Sequence, residues 1–118
     1  MQSSTALPEF PVLERRPHAW GQTLVLCEIG GVEVRVLVLE PGTETSLHRH
    51  AVRHELQIPL GAVRAIVGPG ARPIELPDGH TAFVIPAGVE HQFAAPPTDE
   101  PGLVVSLTFG RTAGKDRI

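Results

Sequence analysis

Tyrosine is missing from this 118-residue sequence, and cysteine, tryptophan and methionine occur once each. A lone Cys27 excludes an internal disulfide and agrees with a reducing compartment; within "TLVLCEI" it reads as a strand residue with no catalytic role. Charge of one sign is nowhere concentrated. The net charge is -3 with both signs interspersed, which leaves no basic face for nucleic acid and no patch for a membrane surface. No apolar run reaches the length of a membrane span, and residues 1–22 lack an apolar signal core between basic and small-residue flanks. The expectation is a cytoplasmic protein without nucleic-acid or membrane partners. A clean helical period is lacking as well, as are repeats and low-complexity segments.

What the sequence has is turn residues and short β-rich runs. Twelve glycines and twelve prolines break it into stretches such as "QTLVLCEI", "VEVRVLVLE", "LQIPLGAVRAIVG", "HTAFVIPAG" and "LVVSLTF". Gly30-Gly31, between the first two, is a two-residue hairpin signal. Asp78-Gly79 marks a tight corner. Eight to ten short strands in one domain of this length predict an all-β sandwich or barrel, closed so as to hide its edges. The expected organisation is an N-terminal arm over 1–19 that wraps a surface or pairs at an edge, one domain over 20–110, and a polar tail over 111–118.

The chemistry concentrates in "GTETSLHRHAVRHELQIPLG". His48 and His50 are two apart, so on a strand both point to one face, as adjacent metal ligands do; Arg49 points away. In the next run His54 alternates with Leu56, Ile58 and Leu60, opposite Glu55, Gln57 and Pro59. That parity turns His54 inward with the other two histidines. A second segment, "PAGVEHQF", supplies His91 just after a rigid Pro86–Gly88 turn, with Phe93 on its face. His18 and His80 read as surface residues, and Trp20 as packing against the barrel or a second subunit.

Together these segments resemble the two motifs of the cupin superfamily, particularly its small single-domain members. The first motif, G-x5-H-x-H-x3 or x4-E-x6-G, matches at Gly42, His48 and His50. Counting six residues back from Gly61 places His54 at the usual glutamate position, while Glu55 satisfies the x4 variant. The second motif, G-x5-P-x-G-x2-H-x3-N, matches at Pro86, Gly88 and His91, with one extra residue after Gly79 and Ala95 in place of Asn. The resemblance implies a double-stranded β-helix, a jelly-roll barrel, over residues 42 to 95 and the strands around them. Many small cupins pair as dimers by exchanging or sharing N-terminal strands, so it also implies a homodimer.

Spacing and resemblance lead to one divalent transition metal per chain held by His48, His50, His54 and His91, with Glu55 as the alternative to His54. Imidazole-rich sites suit Fe, Ni, Zn, Mn, Co or Cu, whereas Ca and Mg prefer oxygen. Phe93 and Arg64 are the expected pocket residues. The resemblance to cupin enzymes suggests first a dioxygenase-like enzyme acting on a small chelating molecule; the alternatives are a metal-dependent isomerase of a sugar or sugar phosphate and a non-enzymatic binding module. Several cationic groups in the pocket would favour the isomerase. The missing tyrosine argues against epimerases of the rhamnose pathway and against the cysteine-dioxygenase type.

Overall fold

A computed structural model describes residues 12–60, 63–68, 72–75 (backbone only) and 82–109. The first eleven residues of the arm, Gly61, the Asp78-Gly79 corner, His80 and the tail fall outside these. Among the described residues the chain is all β, without a helix. The nine strands among the described residues are β1 (Glu14–His18), β2 (Gly21–Ile29), β3 (Val32–Leu39), β4 (His54–Leu60), β5 (Arg64–Val67), β6 (Arg72–Glu75), β7 (Phe83–Ile85), β8 (His91–Ala94) and β9 (Gly102–Phe109).

Six strands form one antiparallel sheet in the order β1-β2-β3-β9-β4-β7, and three form a second in the order β6-β5-β8. The hairpin between β2 and β3 turns on Gly30 and Gly31, both at positive φ (57° and 83°), where a side chain would be strained. β1 takes residues 14–18 of the arm into the sheet edge, paired to β2. Central β9 lies between β3 and β4, with Val105 facing Val36 on one side and Ile58 on the other.

The two sheets face each other across a core of Leu37, Leu39 and Val104 from the large sheet and Val63, Ala65, Phe93 and Ala95 from the small one, closed by Ile85. Complete burial of a side chain such as Phe93 stabilises by roughly 1.5–3 kcal/mol. This apolar core fills only one end of the barrel. At the other end the inward positions are Thr23, Arg35, Glu55, Gln57, Ser106 and Thr108, all buried. A polar barrel end survives only if its groups bond to one another or to a ligand, and this is where the histidines lie.

Candidate metal centre

The H-x-H segment has no long strand of its own. It runs extended along the edge of the small sheet and is tied to β8: His48 N–H donates to His91 O (3.1 Å) and His91 N–H donates to His48 O (2.8 Å). Below that pair, Thr45 N–H donates to Phe93 O (2.8 Å) and Phe93 N–H to Thr45 Oγ1 (3.0 Å). The turn before β8 is anchored too. Gly88, at φ +86°, donates its N–H to His50 O at 2.7 Å. Two segments about forty residues apart are thereby locked in register by backbone bonds.

His48, His50 and His91 consequently converge, each offering a ring nitrogen within 4.8 Å of the others'. His50 and His91 are buried and His48 half-buried. Their hydrogen bonds select the tautomer. His48 Nδ1 donates to Ser46 O (2.8 Å) and His91 Nδ1 donates to Val89 O (3.1 Å), so in the neutral rings Nε2 carries the lone pair. Arg53 Nη2, which can only donate, lies 3.0 Å from His50 Nε2. His50 therefore also presents a lone pair at Nε2. Burial pushes the His50 imidazolium down to about 4, Glu55 opposing and Arg53 assisting, so the ring is neutral at physiological pH.

Glu55 completes the group. Its Oε1 lies 3.1 Å from His91 Nε2 and accepts from Gln57 Nε2 (2.9 Å). Its Oε2 accepts from Arg35 Nη2 (3.0 Å) and Arg53 Nη2 (3.1 Å), 3.5 Å from His50 Nε2. Burial alone would raise the Glu55 pKa, but the contact with His91 and the charges of Arg35 and Arg53 hold it well below the usual carboxylate range. With Nδ1 of His91 already committed to Val89, two species satisfy the 3.1 Å contact. One is an imidazolium donating from both nitrogens; the other is a cation between a neutral Nε2 and the carboxylate. Three imidazole nitrogens and one carboxylate oxygen are the donor set of a borderline divalent metal, and the residues fit one.

The facing expected on β4 is reversed. Glu55 and Gln57 point inward, while His54 is exposed, and its Nδ1 accepts from the Ala87 amide at 3.0 Å. His54 stands outside the histidine group, holding the turn that delivers His91. The physical reason is that this end of the barrel has a polar interior, so the apolar alternate residues of β4 belong to the outer face. Arg64 is likewise exposed, on β5, and does not line the cavity. Phe93 does line it, fully buried.

A cavity of about 450 Å³ opens beside the histidines. Sequence reasoning missed most of its wall. Arg16, Arg35 and Glu33 come from β1 and β3, and His18 stacks on Trp20 with ring centroids 4.3 Å apart. Arg16 bridges Glu14 (2.9 Å) and Glu33 (3.3 Å). Glu33 and Arg35 had a visible signal, two charges at alternate positions inside an otherwise apolar strand.

The barrel and its convergent histidine segments define the class: this chain has the cupin fold. No protein-family model matches the sequence, and no curated protein does. Among solved structures it is similar to KdgF from a Halomonas species (TM-score 0.64, 15% identity, 84% of this chain and 90% of that one). It is also similar to a sugar phosphate isomerase of the cupin superfamily from Silicibacter pomeroyi (TM-score 0.64, 23% identity, 87% and 76%). A third is the L-ribose isomerase of Acinetobacter sp. DL28, a mutant form in complex with L-ribose (TM-score 0.61, 17% identity, 67% of this chain). The chain spans about half the length of that isomerase, 48% of it. At these identities the likeness establishes the fold.

Proposed function

We propose that the chain is a metal-dependent enzyme of the isomerase type, acting on a small anionic molecule that carries a carbonyl and hydroxyl groups, as a sugar acid or sugar phosphate does. The observation that carries this reading is the convergence of three imidazole nitrogens and Glu55 on a cavity that also presents three guanidinium groups, Arg16, Arg35 and Arg53. The sugar isomerases among the structural neighbours support it. A dioxygenase acting on a chelating molecule shares the metal set but has no need of the arginine-lined wall. A cytoplasmic setting suits the single Cys27.

His48, His50, Glu55 and His91 would hold one divalent ion of the Fe, Ni, Zn, Mn, Co or Cu type. When bound, such an ion polarises a substrate carbonyl and acidifies the neighbouring C–H. Arg35 and Arg53 keep the Glu55 carboxylate charged and give the wall a positive field that draws in an anion. Arg16, shared between exposed Glu14 and half-buried Glu33, stands at the rim of the same wall. Glu33 is the cavity carboxylate outside the proposed ligand set, and it is the group we assign to carry the proton between adjacent carbons.

The test is proton exchange by NMR in D₂O across a panel of aldose and ketose acids and phosphates, with the metal-loaded protein. We expect deuterium to enter at the carbon next to the carbonyl. Exchange should cease on chelation and fall at least ~100-fold in Glu33→Gln, which keeps its metal. Oxygen uptake with an enolisable diketone, and no exchange across the panel, would overturn the isomerase in favour of the dioxygenase.

A further inference from the structure

We propose that Arg16 anchors the oxyanion of the substrate, and that Glu33 occupies this anchor until the oxyanion displaces it. The catalytic consequence rests on the isomerase reading above, whereas the binding does not. Arg16 and Glu33 both line the cavity. The Arg16 guanidinium holds two carboxylates in different ways. To Glu14 it presents a fork, Nε to Oε2 at 2.9 Å and Nη2 to Oε1 at 3.0 Å, close to the planar two-bond geometry of a strong ionic pair. Towards Glu33 it turns its other edge, with Nη1 to Oε1 at 3.4 Å and Nη2 to Oε2 at 3.3 Å. Both exceed the ~2.7–2.9 Å of a charge-assisted hydrogen bond. Glu14 fixes the guanidinium; Glu33 sits loosely against it.

Glu33 is weakly compensated for its depth. Its side chain is 13% exposed, and a carboxylate so enclosed ordinarily has short ionic partners. Beyond Arg16 it meets Arg35, whose Nε lies 3.9 Å away, too far for a hydrogen bond. Arg35 commits its Nη2 to Glu55 (3.0 Å) and Ser106 (2.9 Å). An incoming carboxylate or phosphate would offer two oxygens to the Nη1–Nη2 edge of Arg16, the arrangement Glu33 already imitates. The other two cavity arginines are less suited. Arg35 is buried, and Arg53 lies against Glu55 and His50. Arg16, on edge strand β1, keeps a side chain 36% exposed.

The exchange of partners changes what Glu33 does. Paired with a guanidinium its carboxylate is a weak base; released from Arg16 it is a stronger one, beside the substrate. The proton leaves carbon for Glu33 and returns to the adjacent carbon, its electron pair resting meanwhile on the carbonyl oxygen. The hydroxyl proton crosses between the two oxygens, and the carboxylate is regenerated. An anionic substrate thereby releases its own base. A neutral sugar leaves Glu33 on Arg16.

Binding is read from the Arg16 Nε–H and Trp20 indole N–H resonances of the zinc-loaded full chain, titrated separately with inorganic phosphate and with acetate. At least one oxyanion should bind, and the tighter of the two tells a phosphate ester from a sugar acid. Arg16→Ala should weaken that binding at least ~10-fold, and Arg16→Lys, which keeps the charge without the fork, should restore part of it. Glu33→Gln, which weakens the competitor, should tighten it about 5-fold; a purely structural Glu33 gives no such gain. Turnover is read second. Phosphate or acetate should accelerate deuterium exchange into a neutral aldose at least ~10-fold in the wild type. In Arg16→Ala the exchange should be fast without either. Absence of oxyanion binding, binding indifferent to Arg16→Ala, or no tightening in Glu33→Gln would overturn the proposal. So would exchange into the neutral sugar that neither oxyanion stimulates. Exchange with no substrate in any variant would remove the isomerase reading, and the titrations would still decide the anchor.

Discussion

His48 and His91 exchange both main-chain hydrogen bonds, at 3.1 and 2.8 Å, so the two segments that carry the histidines are fixed to each other before any metal arrives. Their rings lie with centroids 4.4 Å apart, and each donates Nδ1–H to a carbonyl two residues earlier in the chain. Ligand position and tautomer are therefore both set by backbone. A site of this kind loses little freedom on loading, which favours affinity.

Arg53 is the residue that opposes loading. Its Nη2 lies 3.0 Å from His50 Nε2 and 3.1 Å from Glu55 Oε2, so a guanidinium and a metal compete for the same lone pairs. Arg53→Ala should tighten divalent-metal binding by about 10-fold, ~1.4 kcal/mol. The same change should weaken binding of anionic ligands to the cavity. Competition titration with a chromophoric chelator measures the first effect. A weaker metal in the variant would mean that Arg53 supports the site instead.

Acid should destabilise the metal-stripped protein in two overlapping stages. His50 titrates near 6.5 when unfolded and about 4 when folded. Between those values the unfolded chain binds the extra proton, so stability is complete above 6.5 and is lost as pH falls towards 4. The shift corresponds to ~3 kcal/mol. Glu55, whose folded pKa is depressed, adds a loss that begins as pH drops below its unfolded value of 4.5. Thermal midpoints measured from pH 7.5 to 4 should fall continuously. In His50→Ala the fall between 6.5 and 4.5 should shrink.

Gly88 sits at φ +86° with its amide on His50 O at 2.7 Å. No atom crowds the space its Cβ would take, so Gly88→Ala tests backbone strain alone. About 1–2 kcal/mol of destabilisation is expected, with metal affinity lowered because this turn aligns His91. Calorimetry and metal titration on the same sample separate the two effects.

The sequence was legible where local rules act alone. Gly30-Gly31 marks its hairpin, and Pro86-Ala87-Gly88 with H-x-H marks the histidine segments, because turn chemistry and ligand spacing are local. It misled at His54 and Glu55. Alternation identifies two faces of a strand but not which is inside, and the usual assumption of an apolar interior fails where a barrel end binds a polar centre. The deciding information lies across strands. Glu33 and Arg35, Glu55 and Gln57, and Ser106 and Thr108 are three polar pairs at matching positions on neighbouring strands, and each makes sense inside only with the others present. Arg16 escaped for a simpler reason, since nothing local says where an N-terminal strand will pair, whereas Trp20 packs against the barrel core as its position suggested.

Which residue of β4 meets the metal decides the character of the centre. The decisive measurement is metal stoichiometry and affinity of untagged protein, wild type against Glu55→Gln and His54→Ala, with thermal midpoints recorded alongside. Glutamine is chosen because removing the side chain would strand the buried Arg35 and Arg53 charges. We predict one divalent ion per chain in the wild type, retained in His54→Ala and weakened at least ~100-fold in Glu55→Gln. A metal lost from His54→Ala and kept in Glu55→Gln would contradict the account.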